Sequence, residues 1–266
     1  MLTTAKPITE EDSRVSGYAR LAVEVGLNLQ PGQELLITAG HEHAPLVRAL
    51  ARAAYSAGAA YVDVYYEDAR VRRALVELGP ETALDHSPEW LVQRVEHIGE
   101  TGGALLRVRG EAEPDVLAGL DGARVGKARM SRLRQATLRL SSEQLVNWCI
   151  VACPNPGWAS AIYGEADVDR LWNDVAKVSR LDEPDPVAAW REHQARLRQR
   201  ADSLNRRGFA AVRFTGPGTD LRVGLLPTVR WSSASMSTRA GLEFLPNLPT
   251  EEVFTSPDHR LTEGHV

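Results

Sequence analysis

Apolar and polar positions follow two rhythms along the chain, and the change between them divides it. From Ser16 to Gly26 the spacing is helical, with Leu21 and Val25 on one face. Asn28-Leu29-Gln30-Pro31-Gly32 then stops the helix. Glu34 to Ala39 (ELLITA) is a short, nearly continuous apolar run and predicts a buried strand. A helix follows from about Ala44 to Ala57, with Leu46, Leu50 and Ala54 at helical spacing, and Gly58 ends it. Tyr61 to Tyr65 predicts a second strand. Strand, helix, strand in this order is the unit of a parallel sheet with a right-handed crossover.

The same alternation continues. Arg70–Leu78 and Glu89–Glu100 predict helices, Ala104–Val108 a strand, Arg124–Leu140 one long helix and Leu145–Ala152 a further strand. Helices over Asp167–Val178 and Pro186–Asn205 come next, the second with Asp185 as its N-cap and Pro186 at its first position. Past Gly208 the period changes. Phe209–Phe214 and Leu221–Leu225 alternate around the turn residues Gly216-Pro217-Gly218-Thr219-Asp220, as in an antiparallel hairpin. The fold class expected is α/β: an N-terminal parallel-sheet, Rossmann-like domain over residues 1–207, then the start of a β-rich domain over 208–266.

Composition narrows the function classes. The chain has 266 residues, 43% hydrophobic and 25% charged, enough for a full core without staples. A net charge of −4 argues against a nucleic-acid partner. No run approaches the ~18 apolar residues of a membrane helix. The opening MLTTAKPITEEDSR lacks the apolar core of a secretory signal. Together with the two cysteines, Cys149 and Cys153, this points to the reducing cytoplasm. The cysteines have no second pair to complete a zinc site and read as buried and inert.

Several segments could carry chemistry. His41-Glu42-His43 follows the first strand but lacks the i, i+4 spacing of a helical zinc motif, so a structural role competes with a ligand role. The basic stretch Arg124, Lys127, Arg129, Arg132, Arg134 and Arg139 has no interleaved aromatics and reads as a solvated helix face. No dinucleotide fingerprint, phosphate loop or nucleophile elbow is present. The segment Asn247-Leu248-Pro249-Thr250-Glu251-Glu252-Val253-Phe254-Thr255-Ser256-Pro257 places adjacent carboxylates on a proline-bounded extended stretch. In a strand, Glu251 and Glu252 would point to opposite faces, one free to meet a divalent metal. A solvated acidic turn is the competing reading.

NLPTEEVFT resembles the signature of the M29 metallo-aminopeptidases. Gly26–Glu34 (GLNLQPGQE), Asn147-Trp148, Pro156-Gly157-Trp158-Ala159, Asp185–Trp190 and Phe214–Leu221 resemble other parts of that family, in its order, from about Ser16 to the last residue. The resemblance implies a homodimeric exopeptidase that removes N-terminal residues from peptides with two divalent metals, cobalt or zinc. It implies Glu252 as a metal ligand and Glu251 as a neighbour that orients it. The remaining ligands it implies lie further downstream in longer chains. It therefore implies that this chain holds an N-terminal portion, stops within the catalytic domain at Val266, binds the metals without stability and is inactive alone. His259 and His265 are not at the family's ligand spacings. The alternative is a non-enzymatic α/β module binding a small ligand or partner at the strand ends near Gly40–His43 and the Arg-rich helices.

Overall fold

The structure, a computed structural model, describes residues 8–266. In chain order the helices are α1 (Ser13–Leu21), α2 (Ala44–Ser56), α3 (Ala69–Leu78), α4 (Glu81–Leu84), α5 (Glu89–Glu100), α6 (Gly122–Lys127), α7 (Ser131–Ser142), α8 (Pro156–Tyr163), α9 (Val168–Val178) and α10 (Pro186–Arg207). The strands are β1 (Glu34–Gly40), β2 (Tyr61–Glu67), β3 (Ala104–Arg109), β4 (Asn147–Ala152), β5 (Ala211–Gly216), β6 (Thr219–Leu225), β7 (Ser232–Ser233), β8 (Met236–Ser237), β9 (Glu243–Phe244), β10 (Asn247–Leu248), β11 (Val253–Phe254) and β12 (Pro257–His265). The chain forms two compact units. One runs up to Val187 and includes Ser237–Pro249; the other takes Ala188–Met236 and Thr250–Val266. No described helix is long and apolar enough to cross a membrane.

The first unit is built on a five-stranded parallel sheet in the order β10-β4-β3-β1-β2. The α/β class expected from the hydrophobic rhythm is the class found. β1 is buried on both faces, which is why it reads as a continuous apolar run rather than an alternating one. On one face Leu36 packs with Val92, Val95 and Ile98 of α5 and with Ala136 and Leu140 of α7. A smaller cluster joins Val76, Leu84 and Ala128.

A polar staple ties the strand starts together. Asn147 is fully buried; its Nδ2 donates to the Leu27 carbonyl at 2.8 Å, and its Oδ1 accepts from Gln33 Nε2 at 2.9 Å. Gln33 Nε2 also reaches the Gly102 carbonyl, at 2.8 Å. The chain continues from α1 through a π-helical stretch, Ala22–Leu27; Asn28 closes it with φ of 50°, and its Nδ2 donates to the Glu243 carbonyl at 2.8 Å.

β10 is a sequence-remote strand that completes the sheet. Asn247 and Leu248 pair with Ile150 and Val151 of β4. Two backbone bonds brace the approach: Ile150 N–H to the Pro246 carbonyl, and Leu245 N–H to the Gly26 carbonyl, each 2.7 Å. Gly26 has no room for a side chain, since a Cβ would sit 2.8 Å from Cys149 Sγ. The Tyr18 hydroxyl, in the core, donates to the Leu248 carbonyl at 2.8 Å and accepts from Ala152 N–H at 3.2 Å. The next peptide bond, Leu248–Pro249, is cis.

The helix over Arg124–Leu140 and the strand β10 depart from the sequence expectations. The helix expected over Arg124–Leu140 is two, α6 and α7, separated at Met130, whose φ is 46°. Ala128 belongs to the small cluster with Val76 and Leu84, whereas Ala136 and Leu140 belong to the sheet face. One straight helix cannot serve both cores. Asp121 caps α6 through Ala123 N–H at 2.7 Å, and Asp85 receives the Ser131 N–H of α7 at 2.7 Å. The second departure is β10, which no local pattern marks.

Four of the six residues in the basic stretch are engaged with protein groups. Arg124 donates to the carbonyls of Val76 and Gly79, near the end of α3, at 2.7 and 2.5 Å. Lys127, Arg132 and Arg139 pair with Glu81, Glu89 and Glu143 at 2.8, 2.8 and 3.1 Å.

In the second unit β12, β6 and β5 form an antiparallel sheet, and β11 pairs with β7. Pro217 and Gly218, the latter with φ of 76°, connect β5 to β6, and Arg213 holds Asp220 through two bonds of 2.8 and 2.7 Å. The turn and hairpin read from Gly216–Asp220 are therefore a structural feature. Asn205 bonds both backbone groups of Trp231, at 2.8 and 2.9 Å.

Tyr18→Phe leaves the Leu248 carbonyl and the Ala152 amide without their shared partner. The expected loss is about 1–3 kcal/mol, read as a lower urea midpoint at unchanged slope. An unaltered midpoint would contradict the bridge. The buried thiols give a second prediction. Burial pushes Cys153 up to about 12 and raises Cys149 as well. Neither should react with a chromogenic disulfide at pH 8 until denaturant is added. The folded values lie above the unfolded thiol value of about 8.5, so this contribution to stability is whole below that pH. It is lost as pH rises toward the folded values, which urea midpoints between about pH 7 and 10 would register.

Candidate functional site

Thr250-Glu251-Glu252 leaves β10 just after the cis proline and reaches β11 at Val253. The three residues lie in the connection, not in a strand, so the opposite-face alternation expected of a strand does not govern the two carboxylates. Both glutamates are exposed, whereas Thr250 is buried.

The group holding this connection is His193, which the sequence reading did not single out. On α10, Trp190, His193, Leu197 and Ala201 fall on one buried stripe at helical spacing. The His193 side chain is only 4% exposed. Its Nε2 lies 3.0 Å from the Thr250 carbonyl oxygen and 3.3 Å from Oε2 of Glu251. A carbonyl only accepts, so Nε2 carries a proton and donates. Trp190 meets the imidazole edge-on, with 5.3 Å between ring centroids. The available sequence signal was a polar residue on an otherwise apolar helical stripe.

Glu252 makes no hydrogen bond or ion pair with another described residue. An exposed carboxylate with open lone pairs is the chemistry a hard or borderline divalent cation needs from one donor. Among the described residues, however, no three His, Cys, Asp or Glu side chains gather as a metal-holding group. His259 and His265 are exposed on β12. The donor set thus fits a single ligand and does not by itself fit a metal pair.

His41-Glu42-His43 forms a tight turn between β1 and α2. His43 is buried; its Nδ1 accepts from Gly40 N–H at 3.2 Å, and its Nε2 is 2.8 Å from the Gly110 carbonyl. These partners fix the neutral Nε2–H tautomer, and burial holds its pKa below the usual histidine range. β1 has β2 on one side and β3 on the other, so the ends of β1 and β3 are the topological switch point where ligands of such sheets sit. His43 ties those two strand ends together. His41 is exposed, with Nδ1 3.3 Å from Glu42 and 3.8 Å from Asp68.

Comparison with known proteins identifies the family. A family model described as Thermophilic metalloprotease (M29) matches residues 11–266. Aminopeptidase T of Thermus aquaticus is 42% identical over 254 residues, covering 93% of this chain and 62% of that protein. Aminopeptidase 2 of Geobacillus stearothermophilus is 34% identical over 262 residues, covering 96% of this chain and 63% of that protein. The solved structure of wild-type AmpT from Thermus thermophilus superposes with a TM-score of 0.86 at 38% identity, over 94% of this chain and 63% of that one. The chain therefore spans less than two thirds of the length of these relatives. The family match runs almost end to end and includes the Thr250-Glu251-Glu252 connection, and the chain belongs to the M29 family of thermophilic metalloproteases.

Proposed function

We propose that this chain serves a metal-dependent aminopeptidase acting on the N-terminal residue of peptides. The observation that carries the reading is similarity to proteins named aminopeptidases over more than nine tenths of the chain. Residues 1–207 would be the α/β domain and 208–266 the opening of the catalytic domain. When bound, a pair of divalent ions, cobalt or zinc, supplies Lewis acidity at the scissile carbonyl. Glu252 is proposed as one ligand, on the ground that its carboxylate is exposed and has no described protein partner. Glu251 is proposed to orient this ligand segment through its contact with His193. The alternative binding module has less support, because His43 already links the strand ends where its ligand would enter.

Among the described residues no metal-holding group accompanies Glu252, and one donor does not hold a metal pair, so the 266-residue chain alone is expected to be inactive. The test is hydrolysis of an amino-acid p-nitroanilide with added cobalt or zinc. The chain is compared alone and as a fusion to the remainder of aminopeptidase T. The chain alone should give no turnover above buffer; the fusion should turn over and stop on chelation. In the fusion, Glu252→Gln should lower kcat/KM by about 100-fold or more, beyond the loss typical of groups that only support a ligand. Hydrolysis by the 266-residue chain at the rate of full-length relatives would overturn the inactivity. A folded fusion without metal-dependent hydrolysis would overturn the peptidase reading.

A further inference from the structure

We propose that His193 is a positioning residue for the Glu251–Glu252 connection, and that its Nε2–H sets the backbone from which Glu252 is presented. The proposal rests on the reading of Glu252 as a ligand. Its physical basis is separate. A buried imidazole on an apolar helix stripe is costly unless its polar atoms are matched. Here Nε2–H meets the Thr250 carbonyl at 3.0 Å and the Glu251 carboxylate at 3.3 Å.

These two acceptors are not equivalent. The Glu251 side chain is 65% exposed, so water competes for its charge and that pairing is the weaker of the two. Thr250 is buried, so its carbonyl depends on the imidazole donor far more. Three residues further on, Val253 is fixed by pairing with Ser233. The backbone is therefore held at Thr250 and again at Val253, and only Glu251 and Glu252 lie between the two anchors. Trp190, edge-on to the imidazole, fixes the ring that supplies the first anchor. An exposed acidic pair on a restrained backbone is what this arrangement produces, although neither carboxylate is itself buried.

A glutamyl-specific endopeptidase reads this restraint directly, because cleavage after Glu251 or Glu252 requires the connection to open locally. The 266-residue chain is digested under native conditions, with no metal added, and cut sites are timed by mass spectrometry. His193→Ala should speed cleavage after Glu251 and Glu252 by about tenfold, consistent with loss of one buried hydrogen bond. Cleavage after the exposed Glu111 and Glu263 should not change, which separates local opening from general unfolding. His193→Gln keeps a side-chain N–H donor and should restore slow cleavage. Equal rates in the wild type and His193→Ala would overturn the proposal. So would a rise at every glutamate, or a His193→Gln variant as labile as His193→Ala. Metal and substrate play no part in this measurement. If Glu252→Gln left the fusion fully active, the ligand reading would fail while the clamp could still be observed.

Discussion

The structure turns on the addition of Asn247–Leu248 to the edge of the parallel sheet. Two residues of strand carry little stability by themselves, and the loop they close spans almost a hundred residues after β4. The entropy of closing such a loop grows only slowly with its length, so a few well-placed bonds can offset it. Tyr18 supplies two of them from the first helix, meeting the Leu248 carbonyl and the Ala152 amide with one hydroxyl. Because the phenol is fully buried, water cannot replace either partner. Three distant stretches of sequence thus meet at one oxygen atom. The chain that leaves this point is the one that carries Thr250, Glu251 and Glu252.

Most of the residues that make the sequence resemble its family do architectural work. Gln33 and Asn147 staple strand starts, Asn28 closes the first helical segment, Asn155 caps α8 through Trp158 N–H at 2.9 Å, and Asp185 caps α10 through Val187 N–H at 3.1 Å. Asp220 steadies its hairpin through Arg213. Apart from Asp220, which meets a guanidinium, these side chains satisfy backbone groups that a strand or helix end leaves open. Short motifs scattered along the chain can therefore identify a fold without each of them bearing on chemistry.

The strands β1 to β4 and the long helices are legible because each has its own period and its own stop signal. Asp185 is the cap the sequence marks, and the structure adds Asp68, Asp121, Asn155 and Asp167 at the starts of other helices. β10 is not legible, since two residues contain no period and their partner is remote. The break at Met130 is hidden for a different reason. Apolar residues on both sides keep helical spacing, but they serve two cores, a fact that exists only once α3 and α4 have packed. At the candidate site, the two carboxylates are plain in the sequence, while the strand assumed for them is absent. His193 is 57 residues upstream of Thr250, and only folding brings its Nε2 to that carbonyl.

A carboxylate proposed as a metal ligand can be both exposed and ordered when the order is supplied elsewhere. A free glutamate side chain gives up as much as about 1.5–2 kcal/mol of rotamer freedom when fixed, and a mobile backbone adds about 1–2 kcal/mol per residue. Burying the carboxylate would remove some of that freedom, but at a desolvation cost that grows steeply unless a cation is already present. The arrangement around Thr250 separates the two demands. Order is supplied at the backbone, by a buried carbonyl and a buried imidazole, while the Glu252 carboxylate stays in water with its lone pairs open. In a site assembled from ligands spread along a chain, each donor benefits from being restrained by its own surroundings before the others arrive. Otherwise the metal must supply the ordering free energy of every ligand at once, and the affinity falls accordingly.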